Sequence, residues 1–332
     1  MDCHSDQYER HGLLGRKLMK NKIVFLIQIL LLALLSGCAS MQDNIYRFGI
    51  DRERSQSDLV YKTVDVDGEK VSYLEREGKG ETVVLLHGFT ADKNNWLRFV
   101  RYLPETYRVL AIDMPGHGDN FQDPAKKYDP VSLSQGIEKT IDSIGLKRFH
   151  IAGNSLGGLV SKIYASNHSD NVITLGLFDS AGVTSPTPSE FRVALEKGVN
   201  PFVVKTREDY DRLGEYAFYD EPFLPWPVHS VMARKYISRN DFNQKMFADL
   251  RSSPVFLDEK AQLELLSHLK MPVFVIWGDQ DRLIHVSSVE IYQKQLPQAE
   301  TVILKDCGHL PMLELPEESA MHYAEFLKKH PD

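Results

Sequence analysis

Phe149-His150-Ile151-Ala152-Gly153-Asn154-Ser155-Leu156-Gly157-Gly158 is the stretch on which the reading of this chain turns. It runs from an apolar, strand-like segment into Gly-x-Ser-x-Gly, and residues 159–165 continue with helical spacing. A serine between such a strand and such a helix sits on a strained turn that lifts its hydroxyl above the sheet. Glycine is needed beside it because a Cβ there would strike neighbouring backbone. The helix N-terminus behind the serine favours negative charge that develops during acyl transfer.

Outward from this turn, apolar and amphipathic segments alternate. Residues 60–77 read as a hairpin turning at Asp67-Gly68. Residues 83–86, 109–112, 172–178, 273–277 and 301–304 read as strands, and residues 94–103, 133–144 and about 317–329 as helices. The alternation predicts an α/β fold, with a mostly parallel central sheet and helices on both faces. Between Gly182 and Met271 no apolar strand stands out, and proline and aromatic residues concentrate. Residues 183–254 read as a cap inserted between two strands. Its Phe202, Tyr216, Phe218, Tyr219, Phe223 and Trp226 are a candidate wall for an acyl chain.

A serine hydroxyl attacks poorly until a base takes its proton, and the base needs a carboxylate to orient it. Downstream, Trp277-Gly278-Asp279-Gln280-Asp281 ends one strand and Cys307-Gly308-His309 follows the last. Sites of open α/β sheets collect at such carboxyl ends. The order Ser155, Asp281, His309 is that of Gly-x-Ser-x-Gly hydrolases. Asp279, and Asp179 after strand 172–178, are alternative acids. His117, in Asp113-Met114-Pro115-Gly116-His117-Gly118, reads as part of a structural loop. Two backbone N–H groups must face the oxyanion. They are assigned to Leu156, next after the serine, and to Phe89 in His87-Gly88-Phe89. No His/Cys/Asp cluster has metal-ligand spacing, so neither metal nor cofactor is expected.

Taken together, these motifs resemble the α/β-hydrolase superfamily. Phe178-Asp179-Ser180-Ala181-Gly182 and residues 219–225 make the chain similar to the Moraxella/Psychrobacter-type lipases. The early motifs are also similar to those of monoacylglycerol lipases. The resemblance spans about residues 60–330 and is closer in the sheet motifs than in the cap. It implies a Ser155–Asp281–His309 triad, an acyl-enzyme intermediate and hydrolysis of acylglycerols or related esters. Leu156 stands where Met is common, a volume-conserving change. Two other readings stay open: a carbon–carbon hydrolase of the same fold, and a hydrolase-fold protein that binds ligand without turnover.

Composition bounds the partners. With 39 Lys and Arg against 46 Asp and Glu the formal net charge is −7, which argues against a nucleic-acid partner. Three cysteines exclude a disulfide framework.

The N-terminus reads as an address. Residues 23–35 are apolar apart from Gln28 and follow Arg16, Lys17, Lys20 and Lys22. That run is shorter than the ~20 residues of a membrane span and matches a secretory signal. Leu35-Ser36-Gly37-Cys38 resembles the bacterial lipobox, whose cysteine is diacylated and becomes the first mature residue. The expected organisation is a signal peptide over 1–37, a polar tether over 38–58 and a hydrolase domain over 59–332. Met19-Lys20-Asn21-Lys22 is itself a normal signal start, so residues 1–18 read as an over-extended one. The lipid anchor implies a membrane surface of the bacterial cell envelope. Ala39 rather than Asp follows the cysteine, which favours the outer membrane. Cys38→Ser is expected to release the protein from membranes with its esterase activity intact. Fractionation checks this, and a fully processed variant still on membranes would contradict it.

Overall fold

The computed structural model describes residues 39–332 apart from residue 225, so Cys38 and the apolar run 23–35 lie outside the described residues. Among the described residues eight strands form one sheet: β1 (Val60–Val66), β2 (Glu69–Arg76), β3 (Thr82–Leu86), β4 (Arg108–Ile112), β5 (Phe149–Asn154), β6 (Val172–Phe178), β7 (Val273–Gly278) and β8 (Glu300–Leu304). Their order is β1-β2-β4-β3-β5-β6-β7-β8. β2 pairs antiparallel with β1 and β4, and the other neighbours are parallel. The β1–β2 turn needs positive φ at both central residues, which Asp67 (56°) and Gly68 (85°) adopt. The chain reverses its direction of travel across the sheet between β3 and β5, where a crevice opens at the strand ends.

Strand alternation sends successive side chains to opposite faces and builds two cores. Val84, Leu86, Leu110 and Ile112 join one, while Val83, Leu85, Val109 and Ala111 join the other. The first is covered by α3 (Pro130–Ile144), α4 (Leu156–Asn167) and α11 (Ser288–Gln295), through Leu133, Val160 and Tyr292 among others. The second is covered by a 3₁₀ turn (Lys93–Trp96), by α2 (Leu97–Val100) and by α13 (Pro316–Lys329). There Trp96, Phe99, Phe178 and Tyr323 pack as a cluster of rings, most pairs edge to face.

Three segments differ from the sequence reading. α3 begins at Pro130, three residues early, because the Asp129 side chain accepts from the Val131 and Ser132 N–H groups and Pro130 is pre-set for a first turn. The segment 94–103 makes only the 3₁₀ turn and one helical turn. Residues read as a tether instead form α1 (Ala39–Gln56). Its composition is polar, so tertiary contacts hold it. Asp43 pairs with Arg234 at 2.6 Å. Lys235 lies 4.3 Å over the buried Tyr46 ring. Arg54 donates to Asn94 Oδ1 at 2.9 Å.

Between β6 and β7 lie α5 (Glu190–Glu196), α6 (Arg207–Ala217), α7 (Val228–Ser238), α8 (Asn240–Arg251), α9 (Pro254–Leu257) and α10 (Glu259–Ser267). α10 returns to the sheet by packing Leu265 with Leu159 and Ile163 of α4. No helix among the described residues is long and apolar enough to cross a membrane.

One buried ion pair ties β2, β4 and the 3₁₀ turn together. Lys93 Nζ lies 2.5 Å from Asp113 Oδ2 and 2.7 Å from Asp119 Oδ2. Asp113 also accepts from Ser72 Oγ at 2.8 Å and from the Lys93 and Asp119 N–H groups. Burial opposes the Lys93 charge, yet the two carboxylates hold its pKa above the ordinary lysine value. Removing the cation strands a fully buried Asp113 carboxylate. Lys93→Ala is therefore expected to destabilise the fold by about 3–5 kcal/mol in denaturant unfolding, and a loss below 1 kcal/mol would contradict this.

Candidate active site

Ser155 stands between β5 and α4 with φ 54° and ψ −119°, a conformation that side chains rarely adopt. Its neighbours enforce it. Ser155 N–H donates to Phe178 O at 2.9 Å, and Ser155 O accepts from Ala181 N–H at 3.0 Å. At Gly157 a Cβ would lie 2.4 Å from both the Leu86 and His87 carbonyl oxygens, so the end of β3 presses directly on the turn. Gly88 also brings the following loop close, though less tightly, since a Cβ there would be 3.3 Å from Ser155 Cβ. This approach sets the Phe89 segment beside Ser155, and both residues line one pocket of about 70 Å³. Leu156 is the first residue of α4, so its N–H is among those no helical carbonyl claims.

His309 lines the same pocket. Its Nδ1 lies 2.7 Å from Asp281 Oδ2, so that nitrogen donates and Nε2 is left for the pocket. Asp281 is buried, and its Oδ1 accepts from the Leu283 and Ile284 N–H groups at 2.8 and 2.9 Å. Three donors therefore hold this carboxylate. Asp279 is turned elsewhere: its Oδ1 accepts from Cys307 N–H at 3.4 Å. Asp179 is fully buried beside the pair, and burial followed by the Asp281 charge raises its pKa well above the usual carboxylate range. Asp179, Asp281 and His309 bring one ligand-capable atom each within 4.8 Å of one another. His309 Nδ1 and Asp281 Oδ2 are already joined by the hydrogen bond described above.

The remaining histidines of the early motifs act as struts. His87 Nδ1 donates to Gly88 O at 2.8 Å and Nε2 accepts from Met114 N–H at 3.1 Å, joining the loops after β3 and β4. Burial lowers the His87 pKa to about 4, which suits a neutral ring with one donor and one acceptor. His117 packs against His87 and Phe89, with Nδ1 3.0 Å from Pro115 O.

The cap meets this site in two ways. Phe202 packs edge-on against Phe89 at 5.0 Å and lines the Ser155 pocket with Leu213, Ala217 and Tyr236. A second pocket of about 920 Å³ shares Thr90, Ala91, Leu213, Tyr236 and Leu310 with the first. Its outer walls include Tyr46 and Ile50 of α1 and Phe218, Tyr219 and Leu224 of the cap. Of the aromatic residues expected to form a wall, Phe223 (83% exposed) and Trp226 (48% exposed) line neither pocket, and neither does Tyr216.

Two supporting residues carry no motif signal of their own: Asn154 is the variable position of Gly-x-Ser-x-Gly, and Glu314 lies outside every motif. Asn154 Nδ2 donates to Phe178 O at 3.1 Å and His309 O at 3.0 Å, bridging β6 to the histidine loop. Glu314, on α12 (Pro311–Glu314), accepts from the N–H groups of Tyr219, Asp220 and Gly308 at 2.9, 3.1 and 3.0 Å. It ties the cap to the residue before His309. The one sequence signal was position: Asn154 borders the serine, and Glu314 lies five residues beyond His309.

A sequence profile for the alpha/beta hydrolase fold matches residues 81–316. The chain is 32% identical over 281 residues to Lipase 1 of Psychrobacter immobilis, covering 83% of this chain and 87% of that protein. It is 30% identical over 264 residues to monoacylglycerol lipase abhd6-B of Xenopus laevis, covering 76% and 77%. The crystal structure of a membrane phospholipase A, described as a novel bacterial virulence factor, aligns with a TM-score of 0.84 at 35% identity. That alignment covers 94% of this chain and 98% of the other.

Glu314→Ala leaves three backbone donors without their acceptor, at ~1–3 kcal/mol for each that stays buried. Only the Gly308 N–H is partly buried, the Tyr219 and Asp220 donors being exposed to water. The variant is therefore expected to lose about 1–3 kcal/mol of stability in denaturant unfolding, and Glu314→Gln, which keeps an acceptor oxygen, to recover part of it. Equal stability of Glu314→Ala and the parent would contradict the role given to this carboxylate.

Proposed function

This chain belongs to the alpha/beta hydrolase fold family and is a hydrolase of the lipase/esterase type, and on that premise we propose that it cleaves acylglycerol esters through Ser155, Asp281 and His309. The observation that carries the reading is the 2.7 Å Asp281–His309 hydrogen bond, made on the pocket that holds Ser155. In this reading His309 Nε2 takes the Ser155 hydroxyl proton as Oγ attacks the ester carbonyl carbon. The tetrahedral oxyanion receives the N–H groups of Leu156 and Phe89. The intermediate collapses with His309 returning the proton to the departing glycerol oxygen, leaving Ser155 acylated. Water, deprotonated by His309, then releases the fatty acid and restores the serine.

The pocket of about 920 Å³ supports a long-chain substrate, since it has the size of a large ligand cavity and shares lining residues with the serine pocket. A second reading shares the chemistry and changes the headgroup: the acyl ester of a phospholipid. The likeness to the membrane phospholipase A favours it. In either case diacylation at Cys38 would hold α1, and with it one pocket wall, at a membrane surface of the cell envelope.

Ser155→Ala is expected to abolish hydrolysis of a p-nitrophenyl ester while keeping the parent melting profile. Asp281→Asn is expected to lower turnover by ~10⁴, as in a related triad, and Asp279→Asn by far less. Turnover of Ser155→Ala within tenfold of the parent would remove the nucleophile assignment, and a more damaging Asp279→Asn would move the acid. A panel of acylglycerols and phospholipids from two to eighteen carbons separates the two substrate readings. Cleavage of a carbon–carbon bond with no ester hydrolysis would overturn both.

A further inference from the structure

Asp179 is a buried acid that the proposed mechanism leaves without a task. It directly follows β6 at φ 44° and is fully buried. Its Oδ1 accepts from Gly278 N–H at 2.9 Å, while its buried Oδ2 has no hydrogen-bond partner from a conventional donor. The groups around it are nearly all acidic. Asp281 and Asp279 lie on the loop after β7, Cys307 and His309 on the loop after β8, and Glu314 on α12. The one basic group among them, His309, already gives Nδ1–H to Asp281.

Two carboxylates in one buried site do not both ionise, because each charge opposes the other without solvent to screen it. Donors decide which one keeps the proton. Asp281 receives three N–H donors, from Leu283, Ile284 and His309, whereas Asp179 receives one. We propose that Asp179 is a positioning residue that keeps its proton and donates it, as an O–H···O hydrogen bond, to the Asp281 carboxylate. The proton stays on Asp179 throughout the cycle, and no bond to substrate is made or broken there. Burial and the adjacent Asp281 charge both act in the direction this requires.

The consequence is a moderated charge behind His309. An extra donor spreads the Asp281 negative charge and holds the carboxylate in line with Nδ1. Without that donor the fuller charge favours the imidazolium form, so the neutral base appears only at higher pH. The inference rests on Asp281 being the acid of the triad.

Asp179→Ala, Asp179→Asn and Asp281→Asn separate the possibilities on a short activated ester. Asp179→Ala is expected to lower kcat several-fold with little change in KM. It should also move the acid limb of the kcat/KM profile upward by about half to one pH unit, the worth of one hydrogen bond. Asparagine can accept from Gly278 and donate to Asp281, so Asp179→Asn is expected to restore both kcat and the acid limb. In the infrared difference between parent and Asp179→Asn, the C=O stretch of a protonated carboxylic acid is expected in the parent alone. That band needs no catalysis and stands if Asp179→Ala fails to fold. An Asp179→Asn variant as impaired as Asp281→Asn, an acid limb moved downward, or no protonated band would each show that Asp179 is ionised and overturn the inference. A fully active Asp281→Asn would instead overturn the triad assignment.

Discussion

The site depends on a close approach that the turn at Ser155 makes possible. At Gly157 there is no volume for a side chain, so the carbonyl ends of β3 rest against the first turn of α4. Ser155 is thereby held at positive φ, a conformation that costs ~1–3 kcal/mol and persists only where neighbours over-determine it. They do so here through hydrogen bonds to Phe178 O and from Ala181 N–H. The same contact that strains the serine brings the Phe89 loop alongside it. The proposed nucleophile and the proposed oxyanion donors are thus brought together by one packing event at the point where the strand order reverses.

Around that contact the protein manages charge by placing backbone donors. Asp281 is buried among N–H groups, and Glu314 spends its acceptor capacity on three more. His87 and His117 are pushed towards the neutral state by burial. Lys162, on α4, is likewise depressed to about 7 by burial, and its amine reaches Ala181 O at 2.6 Å and Tyr292 OH at 2.7 Å. It therefore pins the loop that carries Asp179 and Ala181. The end of β6, the histidine loop and the cap are joined by hydrogen bonds to main chain, through Asn154 and Glu314.

Much of this was legible in the chain itself. Strands such as 172–178 and 273–277 are short, apolar and buried on both faces, so composition alone marks them. Gly-x-Ser-x-Gly was informative because it falls between a strand and a helix. The elements that were missed are set by tertiary contacts. α1 is polar and is held by Arg234, Lys235 and Asn94, none of which is near it in sequence. The early start of α3 lay in the Asp129-Pro130 pair, which a search for apolar spacing overlooks. Glu314 and Asn154 work through backbone partners far away in the chain, a relation that no local pattern encodes. The cap aromatics divided: Phe202, Phe218 and Tyr219 line pockets, whereas Phe223 and Trp226 face solvent, because aromatic content alone does not say which side of a cap a ring occupies.

The central claim is that Ser155 carries the acyl group between ester and water. Rapid quenching of the enzyme with a slowly deacylating p-nitrophenyl ester, followed by peptide mass mapping, tests it directly. The account predicts a burst of nitrophenol equal to the enzyme present and one acyl addition, on the peptide that contains Ser155. Steady turnover with no acylated peptide, or an acyl group on a different residue, would contradict it.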